Sequence, residues 1–277
     1  MLYLVATPIG NLGDITLRAL QVLKDVDVIA CEDTRVSVKL LNHYGISKSL
    51  FSYHDHNADQ VRPRLLALLK DGKKVAYITD GGMPLISDPG FKLVVACQKE
   101  ELPYTVLPGA SAPLMALCLS GLSPARFFFC GFLPPKQGAR KAELEEIKSL
   151  QVTLLFFESS KRMIAFLKDA LDILGDREGA VCREMTKLYE EVQKGSLSSL
   201  ITYYESHPPR GEIVIVVEGA STSSTFSKED FEAHLEKALT IYSVKEAVDI
   251  VSKAFKLSKR EIYQRALALK SEKTRLS

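Results

Sequence analysis

Short apolar segments alternate with longer segments of helical periodicity through the first third of the chain. Residues 2–6 form a continuous apolar run before a turn, and residues 26–30 form another. Between them, residues 16–25 place leucine and valine at helical spacing. A strand buried on both faces is apolar throughout, whereas an amphipathic helix repeats its apolar residues every three or four positions. The alternation therefore predicts a parallel sheet covered by helices on both faces.

A change of composition divides the chain into segments. Glycine and proline cluster between residues 121 and 135, around three consecutive phenylalanines. With 277 residues and about 150 residues per domain, two α/β domains are expected, each with a core of its own. We place them at 1–120 and 121–220, followed by a basic helical extension at 221–277. Further strands are predicted at 75–79, 104–107, 152–157, 180–184 and 212–217, and further helices at 36–44, 61–70, 91–100, 141–150 and 165–174.

Several classes of protein are excluded by what the sequence lacks. No apolar run approaches the roughly 18 residues of a membrane span, and the first residues have no basic segment typical of a signal peptide. The five cysteines are an odd number, and no two are at C-x-x-C spacing. We therefore expect a protein of the reducing cytoplasm, without a disulfide framework or a zinc site.

The last residues of the chain are strongly basic. Residues 253–277 contain eight Lys or Arg and two Glu. Such an excess favours a polyanionic partner, although a solvated helical face would have the same composition. A polar linker is expected at 221–225. Three helix starts are predicted by Ser with an acid three residues later, namely Ser227 with Asp230, Ser243 with Glu246 and Ser258 with Glu261.

Three loops that follow predicted strands are candidates for ligand binding. They cover residues 7–14, 80–90 and 108–113, and the second has three glycines and two prolines in eleven residues. Adjacent glycines let a ligand approach the backbone, and ligands of parallel α/β sheets bind beyond the carboxyl ends of strands. None of the loops matches G-x-G-x-x-G or a P-loop. Each alone could be a plain strand-to-helix turn, but three together favour a site.

Two charged clusters also follow predicted strands. One is residues 32–35, and the other is residues 158–162. Asp33 and Glu158 are candidate proton acceptors, with ion pairs to Arg35 and Arg162, or helix capping, as the alternative. His54 and His56 have no third ligand at a suitable spacing, so no metal site is expected.

Taken in order, the motifs resemble the small-subunit ribosomal RNA methyltransferase I family, within the tetrapyrrole-methylase (class III) superfamily. The resemblance implies a two-domain fold, each domain a mostly parallel or mixed sheet flanked by helices. It also implies a homodimer that uses S-adenosylmethionine to methylate the ribose 2′-hydroxyl of a cytidine in the decoding region of 16S rRNA, within the small ribosomal subunit. The segments that carry it are residues 6–18, 31–35, 53–57, 80–90, 108–112, 131–135, 156–162, 183–187 and 211–219.

Position by position, the resemblance assigns cofactor contacts to eleven residues. Members often have Thr where this chain has Met83, so a hydroxyl contact there is not expected. They also often have Leu at 185 and Pro at 110. The assigned residues are Pro8, Gly81, Gly82, Met83, Asp88, Gly109, Ala110, Ser111, Ala112, Phe157 and Met185.

Basic side chains near these loops and in the tail could hold RNA phosphates, which position RNA without specifying its sequence. Two other functions stay open at this point. One is methylation of a tetrapyrrole or another small molecule, and the other is a non-catalytic rRNA-binding assembly factor. The candidate RNA-binding residues are Arg35, Lys136, Arg140, Lys141, Lys161, Arg162, Lys187, Lys259 and Arg260.

Overall fold

The computed structural model describes residues 1–221, 228–255 and 258–275. The chain divides into two compact units, 1–220 and 221–277. The first unit contains two five-stranded sheets. The boundary expected at 120/121 lies inside this first unit and stays a prediction.

The first sheet is entirely parallel, as the sequence predicts. Its strand order is β3-β2-β4-β1-β5. The edge strand β3 was not predicted, because its four residues, Ser-Leu-Phe-Ser, contain only two apolar side chains. The strands are β1 (Leu2–Val5), β2 (Val28–Cys31), β3 (Ser49–Ser52), β4 (Val75–Ile78) and β5 (Tyr104–Leu107).

Helices cover both faces of this sheet. Helices α1 (Leu17–Asp25) and α2 (Thr34–His43) pack on one face, and α3 (Ala58–Lys70) and α4 (Phe91–Lys99) pack on the other. Thr16 caps α1 by accepting a hydrogen bond from the backbone N–H of Ala19. The neighbouring strands β1 and β4 thus lead to helices on opposite faces. Their carboxyl ends form a topological switch point, where α/β sheets bind ligands.

The second sheet is mixed, with the order β6-β7-β10-β8-β9. Strands β6 and β7 run parallel, and the other neighbours are antiparallel. Three helices bury one face of the sheet in an apolar core. The strands are β6 (Phe127–Phe132), β7 (Thr153–Ser159), β8 (Glu178–Arg183), β9 (Glu191–Ser196) and β10 (Glu212–Val217), and these helices are α6 (Gln137–Ile147), α7 (Met163–Leu174) and α8 (Leu197–Ser206), with α5 (Ala112–Ser120) preceding β6.

Helix α5 follows the first sheet in sequence but packs on the second. Its Ala116 and Leu117 are buried with Leu155 and Val214 of the second sheet. The helix is apolar on nearly all sides, so its sequence does not indicate which sheet it covers. This packing brings the loop after β5 between the two sheets.

The second unit contains helices α9 (Lys228–Ile241), α10 (Val244–Phe255) and α11 (Lys259–Arg275), which pack around an apolar core. The predicted cap at α10 is confirmed, since Ser243 and Glu246 exchange side-chain-to-backbone hydrogen bonds. Ser227 and linker residues 222–225 lie outside the described residues. In the described ranges, no helix is both long and apolar enough to cross a bilayer.

Candidate active site

A cavity of about 720 Å³ lies where the loops of the first sheet meet the second sheet. The loops after β1 and β4 are joined there by a pair of backbone hydrogen bonds. Thr7 N–H donates to Gly82 O and Gly82 N–H donates to Thr7 O, both at 3.0 Å. Gly82 has φ +87°, a conformation that residues with a Cβ rarely adopt. The two loops therefore form one continuous wall of the cavity.

The third loop approaches β1 so closely that only glycine fits at one position. A Cβ on Gly109 would lie 2.7 Å from the Cβ of Ala6. Six of the eleven predicted cofactor contacts line the cavity, namely Pro8, Gly81, Asp88, Ala112, Phe157 and Met185. Among the described lining residues we do not find Gly82, Met83, Gly109, Ala110 or Ser111.

A turn after β8 closes the cavity from the side of the second sheet. The Thr186 hydroxyl accepts a hydrogen bond of 3.0 Å from Asn11 N–H in the first loop. Glu184 and Thr186 have φ +49° and +66°, which is uncommon for residues with a side chain. The turn buries Met185 against the second sheet. Strained backbone of this kind is concentrated at functional sites.

Two buried hydroxyls in the cavity wall favour a polar ligand. Ser37 and Thr79 line the cavity, and neither side-chain oxygen has a partner at full hydrogen-bond geometry among the described residues. The Thr79 hydroxyl nevertheless lies close enough to Asp88 to oppose part of the rise that burial causes in the pKa of that carboxyl. In the same way, the Ser37 hydroxyl opposes part of the rise that burial causes in the pKa of the Cys31 thiol. A buried polar group without a partner is costly unless a ligand or water satisfies it. Apolar side chains, including those of Ile9, Leu40 and Val214, form much of the remaining wall. The cavity suits a ligand with both apolar and polar parts.

One carboxyl group in the cavity has a pKa well above the usual value of an aspartate. Burial raises the pKa of Asp88 to about 6, the Thr79 hydroxyl partly opposes this rise, and the negative charge of Asp80 adds to it. Burial also raises the pKa of Asp80. The pKa of Glu32 is raised mainly by burial, and the negative charges of Asp88 and Asp80 raise it further. Three mutually repelling carboxyl groups therefore lie at this end of the first sheet.

The structure does not support Asp33 as the proton acceptor. Among the described residues that line the cavity, Asp33 is absent. Its carboxylate caps α2 through Arg35 N–H at 2.8 Å and pairs with the Arg35 guanidinium at 2.6 Å. These bonds lower its pKa to about 2. A carboxylate held by two donors at this pKa is a weak base, which favours the structural role that was the alternative for Asp33.

Glu158 lines the cavity but is fully engaged with its neighbours. One carboxylate oxygen accepts a hydrogen bond from Ser159 N–H at 2.7 Å, and the other pairs with Arg162 at 3.0 Å. Arg162 also donates to the Leu133 carbonyl. This arrangement orients the end of β7 beside the cavity, and a catalytic part for Glu158 stays untested.

Arg140 was wrongly assigned to RNA binding. Its side chain is 5% exposed and pairs at 2.5 Å with Asp169, whose side chain is 3% exposed. A buried, paired guanidinium cannot reach a phosphate in solvent.

Most of the other candidate cations in the first unit also have carboxylate partners. Arg35 pairs with Asp33, Lys141 with Asp172, and Lys187 with Glu184 and Glu212. Lys136 and Lys161 are exposed, and the described residues offer neither of them an ion pair. These two remain candidates for phosphate contacts.

The sequence analysis missed Lys39. This exposed residue of α2 lines the cavity, and no ion pair or hydrogen bond of its ammonium group occurs in the described part of the chain. Lys187, the other lysine of the cavity wall, is neutralised by two carboxylates. The sequence did contain a signal for Lys39. It lies four residues after Arg35 of the 32–35 cluster, and residues four apart share a helix face.

Comparison with known families agrees with this architecture. The family described as Tetrapyrrole (Corrin/Porphyrin) Methylases matches residues 1–201. The fold also resembles that of a diphthine synthase crystal structure, with a TM-score of 0.62 at 16% identity over 79% of this chain and 89% of that one. The paired sheets and the cavity between them thus define a methylase of the tetrapyrrole-methylase class.

Closer relatives narrow the class. A ribosomal RNA small subunit methyltransferase I from Mesorhizobium japonicum is 44% identical over 275 residues, which are 97% of this chain and 92% of the relative. A protein of the same name from Thermotoga maritima is 45% identical over 218 residues, 79% of this chain and 98% of that relative. The family described as RsmI C-terminal HTH domain matches residues 227–270. The chain belongs to the ribosomal RNA small subunit methyltransferase I family and is a methyltransferase.

Proposed function

We propose that the chain transfers a methyl group from S-adenosylmethionine to the ribose 2′-hydroxyl of a cytidine in the decoding region of 16S rRNA. The cavity supports the proposal, since loops of both sheets enclose it and its wall combines apolar side chains with buried hydroxyls that lack a partner at full hydrogen-bond geometry. The names of the relatives favour ribosomal RNA over a tetrapyrrole as the substrate. Membership of a methyltransferase family weighs against a non-catalytic assembly factor.

The cofactor fits the cavity in size and chemistry. A volume of about 720 Å³ is within the range of small-molecule sites. We assign the apolar part of the cofactor to Pro8, Phe157 and Met185, and its polar groups to Thr79 and Ser37. When bound, S-adenosylmethionine supplies a methyl group activated by its sulfonium. The residues of this chain must then orient the ribose hydroxyl and accept its proton.

We assign to Asp88 the role of accepting the proton of the ribose 2′-hydroxyl. This residue lines the cavity, and burial raises its pKa to about 6. A general base is most effective when its pKa is near the working pH. Asp33 is held by Arg35 outside the cavity wall, and both oxygens of Glu158 accept hydrogen bonds from their neighbours. Its place in the cavity wall and its raised pKa support Asp88 as the acceptor of the proton.

The partners we propose are the small ribosomal subunit and a second copy of the chain. The homodimer follows from the family resemblance, and exposed Phe127 and Phe128 on the edge strand β6 provide apolar surface for it. A cytoplasmic location fits the proposed substrate and the five cysteines, all of them free.

Transfer of a labelled methyl group tests the function. The full chain is incubated with S-adenosylmethionine labelled in the methyl group and small ribosomal subunits that lack their native modification. We expect the label in 16S rRNA and none in ribosomal protein. Label that enters a porphyrinogen instead of rRNA would favour the small-molecule alternative, and absence of label from both would contradict the proposal.

Lys39→Gln tests the cavity lysine that has no partner. Loss of one exposed charge contact is expected to weaken binding by up to roughly fivefold. A rise in the Kd for S-adenosylmethionine in titration calorimetry would assign the ammonium group to the cofactor carboxylate. A loss of affinity for small subunits alone would assign it to an RNA phosphate. Lys24→Gln on α1, outside the cavity wall, is the matched control. Unchanged binding of both ligands by Lys39→Gln would contradict a ligand contact of the Lys39 ammonium group.

A further inference from the structure

A groove of about 470 Å³ lies between α10 and α11 of the second unit. Lys245, Val248 and Asp249 line it from α10. Their spacing of three and four residues places them on one face of that helix. The volume is that of a small-molecule site, so the groove is large enough for a single nucleotide.

The wall from α11 combines positive charge with an aromatic ring. Lys259, Arg260, Tyr263 and Gln264 line the groove within the first two turns of this helix. Tyr263 is 47% exposed, so its ring is available to a ligand. Asp249 is the one acid of the described lining residues and is already paired with Lys259. Lys245 and Arg260 leave the groove with a net positive charge.

The geometry of duplex RNA limits what this surface can bind. Helix-turn-helix proteins read DNA by placing the N-terminal residues of the second helix in the wide major groove. The major groove of A-form RNA is deep and narrow, so side chains of a helix cannot read it. If the substrate is RNA, as proposed above, α11 cannot dock on a duplex in that manner. Proteins bind unpaired nucleotides instead by stacking a base on an aromatic ring beside positive charges.

We propose that the α10/α11 groove binds an unpaired nucleotide of single-stranded RNA. The base stacks on Tyr263, Gln264 offers its amide to the base edge, and Lys245 and Arg260 hold the adjacent phosphates. The inference rests on the proposed RNA substrate, and it assigns to the second unit the recognition of single-stranded segments of that RNA.

Fluorescence anisotropy with the full chain tests this groove. The probe is a labelled single-stranded RNA of about twelve nucleotides, compared with the same strand annealed to its complement. We expect the single strand to bind at least about tenfold more tightly. Loss of one stacked base corresponds to roughly a five- to 150-fold weaker affinity, and this is expected for Tyr263→Ala. Tyr263→Phe keeps the ring and should remain within about twofold of the wild type.

Controls separate stacking from charge and from the proposed function. Tyr242 has the same exposure as Tyr263, at 47%, but lies outside the groove, so Tyr242→Ala should bind like the wild type. Arg260→Gln should weaken binding and reduce the salt dependence by about one ion. Equal affinity for single strand and duplex, or wild-type affinity of Tyr263→Ala, would overturn the inference. If the inference is overturned, normal methyl transfer to rRNA would still support the proposed function. The proposed function itself would be contradicted by absence of label in rRNA.

Discussion

Asp88→Asn is expected to lower kcat for methyl transfer by roughly 10²- to 10⁴-fold, the usual contribution of a general base. Asparagine has nearly the same shape but cannot accept the proton. The Kd for S-adenosylmethionine should stay within roughly threefold of the wild type, because the amide can still accept a hydrogen bond. Rates at saturating subunits and titration calorimetry measure the two quantities separately.

The pH dependence gives a second readout of the same residue. Only the ionised carboxylate accepts a proton, so kcat of the wild type should fall as the pH drops through about 6, the pKa of Asp88. Asp80→Asn should move this limb to lower pH, because Asp80 raises the pKa of Asp88. A large loss of cofactor affinity in Asp88→Asn, or an unchanged acidic limb in Asp80→Asn, would contradict the assignment.

Loss of activity in Asp88→Asn should not result from unfolding, because the variant is expected to be at least as stable as the wild type at pH 8. The folded-state pKa of Asp88 is raised from 3.8 to about 6. Its favourable contribution to stability is therefore present below about pH 4 and is lost as the pH rises through about 6. At pH 8 the wild type keeps a charge that burial disfavours. Asp88→Asn removes this charge, so its melting temperature at pH 8 should equal or exceed that of the wild type.

Asp169→Ala is expected to destabilise the first unit by about 3–5 kcal/mol, the usual cost of removing one partner from a buried ion pair. The Arg140 and Asp169 side chains are 5% and 3% exposed, and the carboxylate also accepts a hydrogen bond of 2.9 Å from Gln137. The variant leaves the Arg140 charge buried without a counter-ion. Urea unfolding followed by circular dichroism measures the change.

Two matched variants test the cause of this effect. The double variant Arg140→Leu with Asp169→Leu removes both charges and should recover much of the stability. Lys141→Gln, on the same helix as Arg140, removes a side chain that is 33% exposed. Its ammonium group is 2.7 Å from Asp172 and 3.8 Å from Asp169, and its loss should cost less than about 1 kcal/mol. A destabilisation of Asp169→Ala no larger than that of Lys141→Gln would contradict the account of a buried pair.

The first sheet could be predicted because its strands are buried on both faces. Such strands are apolar throughout, so their periodicity differs sharply from that of the adjacent helices. The glycine-rich loops could also be predicted, because their geometry restricts which residues fit. The approach of Gly109 to Ala6, for example, leaves no room for a side chain. Strands β3, β6 and β9 and the packing of α5 were missed, because edge strands and an almost wholly apolar helix have no distinctive pattern. Helix α8 was not predicted either.

The assignment of charged side chains was the weakest part of the sequence analysis. A sequence shows that Arg140 is basic, but not that Asp169, 29 residues later, will be buried against it. In the same way, the nearness of Asp33 and Arg35 in the sequence does not show which bonds the carboxylate makes. The spacing of Lys39 from the 32–35 cluster was visible, but its lack of a partner depends on the three-dimensional arrangement. Such residues can be assigned only when their neighbours in space are known.

The position of the methyl group in 16S rRNA tests the central claim most directly. After reaction with the wild-type chain, the rRNA is cleaved with alkali, which requires a free 2′-hydroxyl, and the fragments are sequenced. The account predicts one alkali-resistant linkage, at a single cytidine of the decoding region, and no such linkage after reaction with Asp88→Asn over the same time. Label in the rRNA without an alkali-resistant linkage would mean that a base is methylated, and would contradict the proposed reaction.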